Sequence, residues 1–368
     1  MCNEIGEKGS ITLDGKTYSF KDFADLLLPK PLHWAKASQD FVQAWLSNND
    51  HFELHTSGSS GKPKLIRLHR EQLNASALAT ITSLQLPAHS HALVAMDTAF
   101  IGGKMMLVRG LIGHWHLHLL PPTTYPIPDE SIAMDFTALV PLQVEGLLKT
   151  KEGIAFLNRL SKLIIGGAPI QPELQEKIQS LKCEVWHSYG MTETVSHIAL
   201  KKLNGTDASE SFKVIGDNEV KLNDQGCLCV RGTVTQSKWI ETNDLAEITK
   251  NGFVWIGRSD LTVNSGGVKI NIESAESHIR QKLTNEKSVE IALWKIPHTE
   301  LGEELVGIVN DMQLGQSWKT EYTKLKTLFQ AYHFPKRWFF IDQMRRTGSG
   351  KIDRIVTLRH AKEVTIGQ

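Results

Sequence analysis

Residues Leu54–Leu65 read L-H-T-S-G-S-S-G-K-P-K-L. Thr56, Ser57, Ser59 and Ser60 crowd hydroxyls together, Gly58 and Gly61 bare their backbone N–H groups, and Lys62 and Lys64 add ammonium groups. Such a loop suits a polyphosphate: glycines let the backbone approach the oxygens, hydroxyls donate to them, and lysines offset their charge. The Walker A spacing G-x-x-x-x-G-K-[ST] is not met, since the first glycine stands too close and Pro63 follows Lys62. A flexible Ser/Gly tether is the plain alternative. Against it, His51–His55 and Leu65–Leu68 on either side read as short strands, which makes the loop a tight connection.

On both sides of this loop, from His51 to Tyr189, apolar strands alternate with helical patterns. The expected strands are His91–Met96, Trp115–Leu120, Phe136–Val140, Leu163–Ile165 and Cys183–His187, and the expected helices Lys104–Ile112 and Pro172–Leu181. This alternation predicts an α/β fold, a mostly parallel sheet covered by helices. Ligand sites in that architecture lie at the carboxyl ends of the strands, where 56–64, Gly166–Pro169 and Ser188–Thr194 fall. The lead, residues 1–49, carries a hairpin-like I-T-L-D-G-K-T-Y-S-F and helical patterns at Asp22–Leu28 and Ser38–Leu46, without evident chemistry. Between Phe212 and Gly257, short strands broken by Gly and Asn/Asp predict an antiparallel sheet or small barrel packed beside the first region. After Asp260, Ile272, Ala275, Ile279 and Leu283 share one helical face, Val289–Trp294 and Leu305–Val309 read as strands, and Trp318–Tyr332 as an amphipathic helix. The expected division is a large domain over 1–259 and a small α+β domain over 260–368.

The 368 residues suffice for two or three domains, and a formal net charge of +1 gives no general electrostatic case for nucleic acid or a membrane surface. No apolar run approaches the roughly 18 residues of a membrane span, and the first residues lack signal architecture. The expectation is a soluble, cytoplasmic protein. Cys2, Cys183, Cys227 and Cys229 fit a reducing compartment better than a disulfide framework, and Cys227 and Cys229 read as small, buried or half-buried strand residues. His114, His116 and His118 fall on one face of a strand; without a carboxylate or cysteine companion, a polar strand face is the expectation there, not zinc.

Five further segments carry chemistry-bearing residues. S-Y-G-M-T-E-T at Ser188–Thr194 offers Tyr189 as a face for a planar base, Thr192 as a hydroxyl for phosphate and Glu193 as an oxygen for Mg2+; alone it could be a capped turn. I-I-G-G-A-P at Ile164–Pro169 ends a strand in glycines against which a flat ligand could lie, or is an ordinary turn. In E-T-N-D-L, Asp244 could accept from both ribose hydroxyls, and in W-I-G-R-S-D, Arg258 could donate to the sugar or a phosphate. R-R-T-G-S-G-K-I-D-R at Arg345–Arg354 puts Lys351 on a Gly-rich turn, suited to delivering charge to a developing anion or simply solvated.

Together, in this order, these segments resemble the adenylate-forming superfamily of acyl-CoA and aryl-CoA ligases, luciferases and peptide-synthetase adenylation domains. The resemblance covers Thr56 to Arg354. It implies a phosphate loop at Thr56, Ser57, Gly58, Ser59, Ser60, Gly61, Lys62 and Lys64, and further ATP-binding residues at Gly166, Gly167, Ala168, Tyr189 and Gly190. It further implies Thr192 and Glu193 as catalytic residues with Glu193 on Mg2+, Asp244 and Arg258 on the ribose, Asp260 as the hinge of a mobile C-terminal domain, and Lys351 as the catalytic lysine. S-G-G-V-K-I would present Ser265, Gly266, Gly267 and Lys269 to the CoA step. The implied reaction joins a small carboxylic acid to ATP as an acyl-adenylate and then passes the acyl group to the CoA thiol. T-N-D departs from the usual T-G-D at Asn243.

The phosphate loop sits near residue 56, so the chain is short at its N-terminal side for this superfamily. F-I-G-G-K-M-M-L-V-R-G at Phe100–Gly110 is similar to H-I-S-G-L-S-x-L-x-R-S of the compact bacterial o-succinylbenzoate–CoA ligases of menaquinone biosynthesis, with Gly103 and Arg109 in matching places and Phe100 replacing the histidine. That substrate has a second carboxylate, for which Arg109 and Lys104 are the candidates, unless one or both are solvated helix residues. Another acyl- or aryl-CoA ligase, a carrier-loading enzyme and a catalytically silent nucleotide-binding relative are the competing readings. A homodimer is the base-rate expectation for a soluble enzyme.

Overall fold

The computed structural model describes residues 9–55, 65–129, 132–282, 290–310, 315–329, 334–346 and 352–364. The described residues gather into two compact units, one of 9–55, 65–242 and Glu247–Trp255, the other of Asn243–Ala246 and those from Ile256 onward. Among the described residues no helix is long and apolar enough to cross a membrane.

The first unit begins with β1 (Ser10–Leu13) and β2 (Lys16–Ser19), the expected hairpin. β3 (His51–His55) and β4 (Leu65–His69) form an antiparallel pair of their own, with residues 55 and 65 opposite one another. β5 (His91–Val94), β6 (His116–Leu119), β7 (Phe136–Leu139), β8 (Lys162–Ile165) and β9 (Glu184–Met191) pair in parallel. Their apolar runs, A-L-V in β5 and L-I-I in β8, are buried without alternation because both sheet faces are covered. On one face, Leu139, Leu147, Phe156, Leu163, Ile165 and Ile178 form a continuous core. The helix Ile101–Gly113 is buried along most of its length, where Gly103 lies so close to the Asp97 carbonyl that any Cβ would collide with it.

β10 (Ser196–Lys202), β11 (Phe212–Val214), β12 (Glu219–Leu222), β13 (Cys227–Arg231), β14 (Ile240–Thr249) and β15 (Gly252–Arg258) follow. The region from Phe212 is antiparallel, as its turn density predicts, but it does not stand beside the parallel strands. It continues them in one strand order, β12-β13-β14-β15-β11-β10-β9-β8-β7-β5-β6-β1-β2. The lead hairpin closes the other edge, β1 running parallel to β6 with Ile11 and Leu13 buried. Two further expectations change. β9 runs through Ser188–Met191, so that segment is strand and not the loop after a strand. His114 is not on the histidine strand face; it caps the preceding helix at φ 54°, while His116 and His118 point from β6.

The second unit holds β16 (Thr262–Ser265), β17 (Val268–Asn271), β18 (Ile291–His298), β19 (Gly302–Val309), β20 (Arg337–Phe340) and β21 (Lys362–Val364) in one sheet. The helix Ile272–Lys282 lays Ile272, Ala275 and Ile279 on a core with Leu293, Leu305, Trp338 and Phe340. Leu283, the fourth position of that expected face, lies outside the described residues.

Candidate active site

In the first unit, the candidate residues meet where the adjacent parallel strands β8 and β9 end. Ile165 stands opposite His187, so Gly166, Gly167 and Ala168 leave β8 beside Ser188 and Tyr189. The Ser188 hydroxyl donates to the Ile165 carbonyl at 3.3 Å. Gly167 takes φ 83°, a left-handed conformation that a side chain would resist. Tyr189 is half-buried against Phe253, edge to face at 5.0 Å, and Phe212 at 5.8 Å. Burial, with the Lys201 charge second, pulls the His187 pKa down to about 4, so its ring is neutral at physiological pH.

Thr192 and Glu193 are half-buried in a single 3-10 turn at the end of β9. The turn exits through Val195 at φ 51° and Ser196 at φ 77°. Three hydroxyl contacts hold it: Thr194 Oγ1 accepts from Met191 N at 3.0 Å and donates to Ser196 O at 2.9 Å, and Ser76 Oγ donates to Val195 O at 2.7 Å. The sequence reading passed over Ser76 and Val195. A buried serine in a helix carries no local signal, and φ is not legible in a residue name.

Lys104 and Arg109 are buried, which removes the solvated-helix alternative for both. The Lys104 ammonium lies 5.0 Å from the Phe41 ring centre, and burial lowers its pKa against the opposing pull of Asp97. Arg109 is 1% exposed, with Nη1 3.8 Å from Met106 Sδ and with Nε and Nη2 making no hydrogen bond to the described protein. Burial alone draws its pKa to about 9, still cationic at neutral pH. His197 is held well below its ordinary pKa by burial first and the Arg109 charge second, and its Nε2 is 2.9 Å from Thr80 Oγ1.

In the second unit, Arg258 grips Asp260 with two parallel bonds, Nε to Oδ1 at 2.8 Å and Nη2 to Oδ2 at 2.7 Å, while Nη1 lies 4.0 Å from Asp244 Oδ1. Both proposed ribose residues and the proposed hinge are therefore neighbours. Gly266 and Gly267, at φ 58° and 86°, make the two-residue turn of the β16–β17 hairpin. They and Lys269 are exposed, whereas Ser265 is buried. Thr56, Ser57, Gly58, Ser59, Ser60, Gly61, Lys62, Lys64 and Lys351 lie outside the described residues. Around Lys351, Arg346 and Ile352 form an antiparallel bridge, and Asp353 caps the helix Arg354–His360 by accepting from Val356 N at 3.0 Å. Arg354 pairs with the buried Glu276 at 2.9 Å.

Away from these sites, His91 Nδ1 lies 3.0 Å from His118 Nε2 and His116 Nδ1 2.8 Å from Ser10 Oγ. Among the described residues no group of three or more histidine, cysteine or acidic side chains is arranged to hold a metal. Cys183, Cys227 and Cys229 are buried free thiols.

The model of the AMP-binding enzyme family matches residues 13–236. A 2-succinylbenzoate–CoA ligase of Listeria monocytogenes is 25% identical over 353 residues, covering 88% of this chain and 73% of that protein. The crystal structure of an acyl-CoA synthetase (AMP-forming)/AMP-acid ligase II-like protein from Dyadobacter fermentans is similar at TM-score 0.62 and 36% identity, over 92% of this chain and 97% of that one. The o-succinylbenzoate–CoA synthetase of Bacillus subtilis, solved with ATP and magnesium ion, has the same fold at TM-score 0.67 and 20% identity, over 83% of this chain and 69% of that one.

Proposed function

The chain belongs to the AMP-binding enzyme family, with the AMP-forming acid–CoA ligases, and from that premise we propose that its acid is o-succinylbenzoate and its product the CoA thioester. The observation that carries the choice of acid is Arg109. A guanidinium 1% exposed, with two nitrogen positions making no hydrogen bond to the described residues, is costly unless an anion pairs with it. A second carboxylate on the substrate supplies that anion, and the similarity to 2-succinylbenzoate–CoA ligases points to the same acid. Lys104, also buried, is the second candidate partner.

In the proposed first step, a carboxylate oxygen of the acid bonds to the α-phosphorus of ATP, and the bond from that phosphorus to the pyrophosphate oxygen breaks. Both partners are anions, so positioning and charge neutralisation dominate the barrier. The 56–64 loop holds the phosphates, Gly166, Gly167, Ala168, Tyr189 and Gly190 flank the adenine, and Asp244 and Arg258 hold the ribose. Glu193, half-buried in a hydrogen-bonded turn, fits a single carboxylate ligand of Mg2+. When bound, that ion supplies charge neutralisation on the phosphate oxygens. Thr192 donates to phosphate, and Lys351 bridges the carboxylate and the α-phosphate. In the second step the CoA sulfur attacks the acyl carbonyl and AMP leaves. Residues 260–368 form the mobile domain, turning at Asp260 and presenting Gly266, Gly267 and Lys269 to the thiol, with Ser265 buried beneath.

The test is pyrophosphate release with Mg-ATP across o-succinylbenzoate, benzoate, acetate and medium-chain fatty acids, with and without CoA, with products identified by mass. Rapid turnover and a CoA thioester from o-succinylbenzoate are expected. Arg109→Met should lower kcat/KM for that acid by about a hundredfold, the scale of a buried charge pair lost, and leave benzoate nearly unaffected. Equal losses on both acids would refute the pairing, and preference for another acid would refute the substrate.

A further inference from the structure

Tyr189 is one of four rings that meet across β9, β11 and β15. Phe212 and Phe253 stand opposite one another on β11 and β15, stacked at 5.5 Å with 19° between their planes. Tyr189 meets Phe253 at 5.0 Å and 77°, an edge-to-face pair, and lies 5.8 Å from Phe212. The His187 ring joins at 5.3 Å from Phe212, and the Lys201 ammonium lies 5.2 Å from the centre of the same ring. Two small residues permit the gathering. Ala199 of β10 pairs with Tyr189 on one side and Val214 on the other, so only a methyl group rises from β10 in that row, which leaves room for the rings to meet. Gly252 stands beside the Phe212–Phe253 pair, opposite Lys213, and a Cβ there would lie 1.8 Å from the Phe212 carbonyl. A larger residue would push β15 off β11 and part the two phenylalanines.

We propose that Phe253 is a positioning residue for the nucleotide: it fixes the plane of the Tyr189 ring, so that the accessible part of that ring is already oriented when the base arrives. The assignment of Tyr189 to the base rests on the reaction proposed above. Phe253 and Phe212 are buried, whereas Tyr189 is half-buried, so the rigid members of the cluster stand on the core side and the ligand-facing member on the accessible side. The positive edge of one ring against the negative face of the other favours a crossed arrangement over a parallel one, which narrows the torsions open to Tyr189. A ring ordered in advance loses little freedom on binding, and the affinity for the base gains accordingly. Lys201, over the face of Phe212 and 3.5 Å from Glu210, closes the far side of the cluster. The motif around Tyr189 gives no sign of Phe253, which comes from another strand.

The test titrates the full-length chain with ATP and with inorganic tripolyphosphate, which lacks the base, and compares Phe253→Leu with Phe136→Leu. Phe136 is equally buried and also loses an edge-to-face partner, Trp115 at 5.6 Å, but it stands on β7. Phe253→Leu is expected to weaken ATP about fivefold, the scale of one aromatic pair, and to leave tripolyphosphate within about twofold. Phe136→Leu should leave both ligands within about twofold. Equal weakening of both ligands by Phe253→Leu, or the same loss of ATP in Phe136→Leu, overturns the proposal, because general loosening of the fold would produce either. In chains carrying fluorotyrosine, the fluorine resonance of Tyr189, identified by its absence from Tyr189→Phe, is expected to move in Phe253→Leu and to stay in place in Phe136→Leu. A resonance that does not move in Phe253→Leu overturns the proposal as well. If the wild-type chain binds no ATP, the assigned reaction falls instead, and the fluorine comparison alone decides whether Phe253 orients Tyr189.

Discussion

Val195 carries a β-branched side chain at φ 51°, a conformation that costs roughly 1–2 kcal/mol. It persists because Val195 N donates to Thr192 O at 3.1 Å and the Ser76 hydroxyl donates to the Val195 carbonyl. The strain sits two residues after Glu193, at the exit of the turn that carries it, and so helps fix where that carboxylate points. Ser76→Ala leaves a buried carbonyl without its donor, a loss of about 1–3 kcal/mol. The expected outcome is a several-fold higher Mg2+ requirement for ATP–pyrophosphate exchange, read from a magnesium titration at saturating ATP. An unchanged titration would show that Ser76 does not position Glu193. Thr192 and Glu193 were legible in the sequence as chemistry-bearing types in a short motif. Ser76 was not, because it acts from a distant helix and its residue type is common in helices of every kind.

At the scale of elements, the pair Glu276–Arg354 ties the helix Ile272–Lys282 to the helix Arg354–His360. Glu276 Oε1 also accepts from Leu293 N at 2.6 Å, so β18 joins the same junction. Through Arg354 the junction anchors the segment that follows Lys351. Glu276→Gln keeps the shape and removes the charge, depriving Arg354 of its ion-pair partner in a largely buried place. We expect the second unit to lose about 3 kcal/mol, measured by urea unfolding monitored at Trp338, with Glu276→Leu/Arg354→Met recovering most of the loss. A loss under about 0.5 kcal/mol for Glu276→Gln would place the pair among inconsequential surface bridges. The apolar face Ile272, Ala275 and Ile279 was readable from its spacing, since periodicity is a local property. The ion pair joins residues far apart in the chain, and no pattern in either helix announces the other.

At the scale of the whole molecule, His118 and His187 both have pKa values pulled to about 4 from an ordinary 6.5, first by burial and then by their neighbours, the rings of His91 and His116 for the one and the Lys201 charge for the other. His197 lies well below its ordinary value for the same first reason. Between pH 6.5 and about 4 the unfolded chain therefore binds more protons than the folded one, so stability falls as the pH falls. Their neutral forms contribute fully above pH 6.5. The urea midpoint is expected to hold from pH 8 to 7 and then drop steadily toward pH 4, with His118→Asn flattening the slope; a midpoint constant from pH 7 to 5 would contradict this. The sequence by itself determined the strand–helix alternation, the order of the motifs and the residue types available to them, because hydrophobic period and turn chemistry are written locally. Only the tertiary structure decided that the antiparallel region continues the parallel sheet, that Arg109 is buried without a hydrogen bond to the described residues at two of its nitrogens, and that the Arg258 fork holds the Asp260 carboxylate. Strand neighbours, burial and long-range hydrogen bonds are set by which surfaces meet once the chain has collapsed, and a sequence read residue by residue does not contain that information in any single stretch.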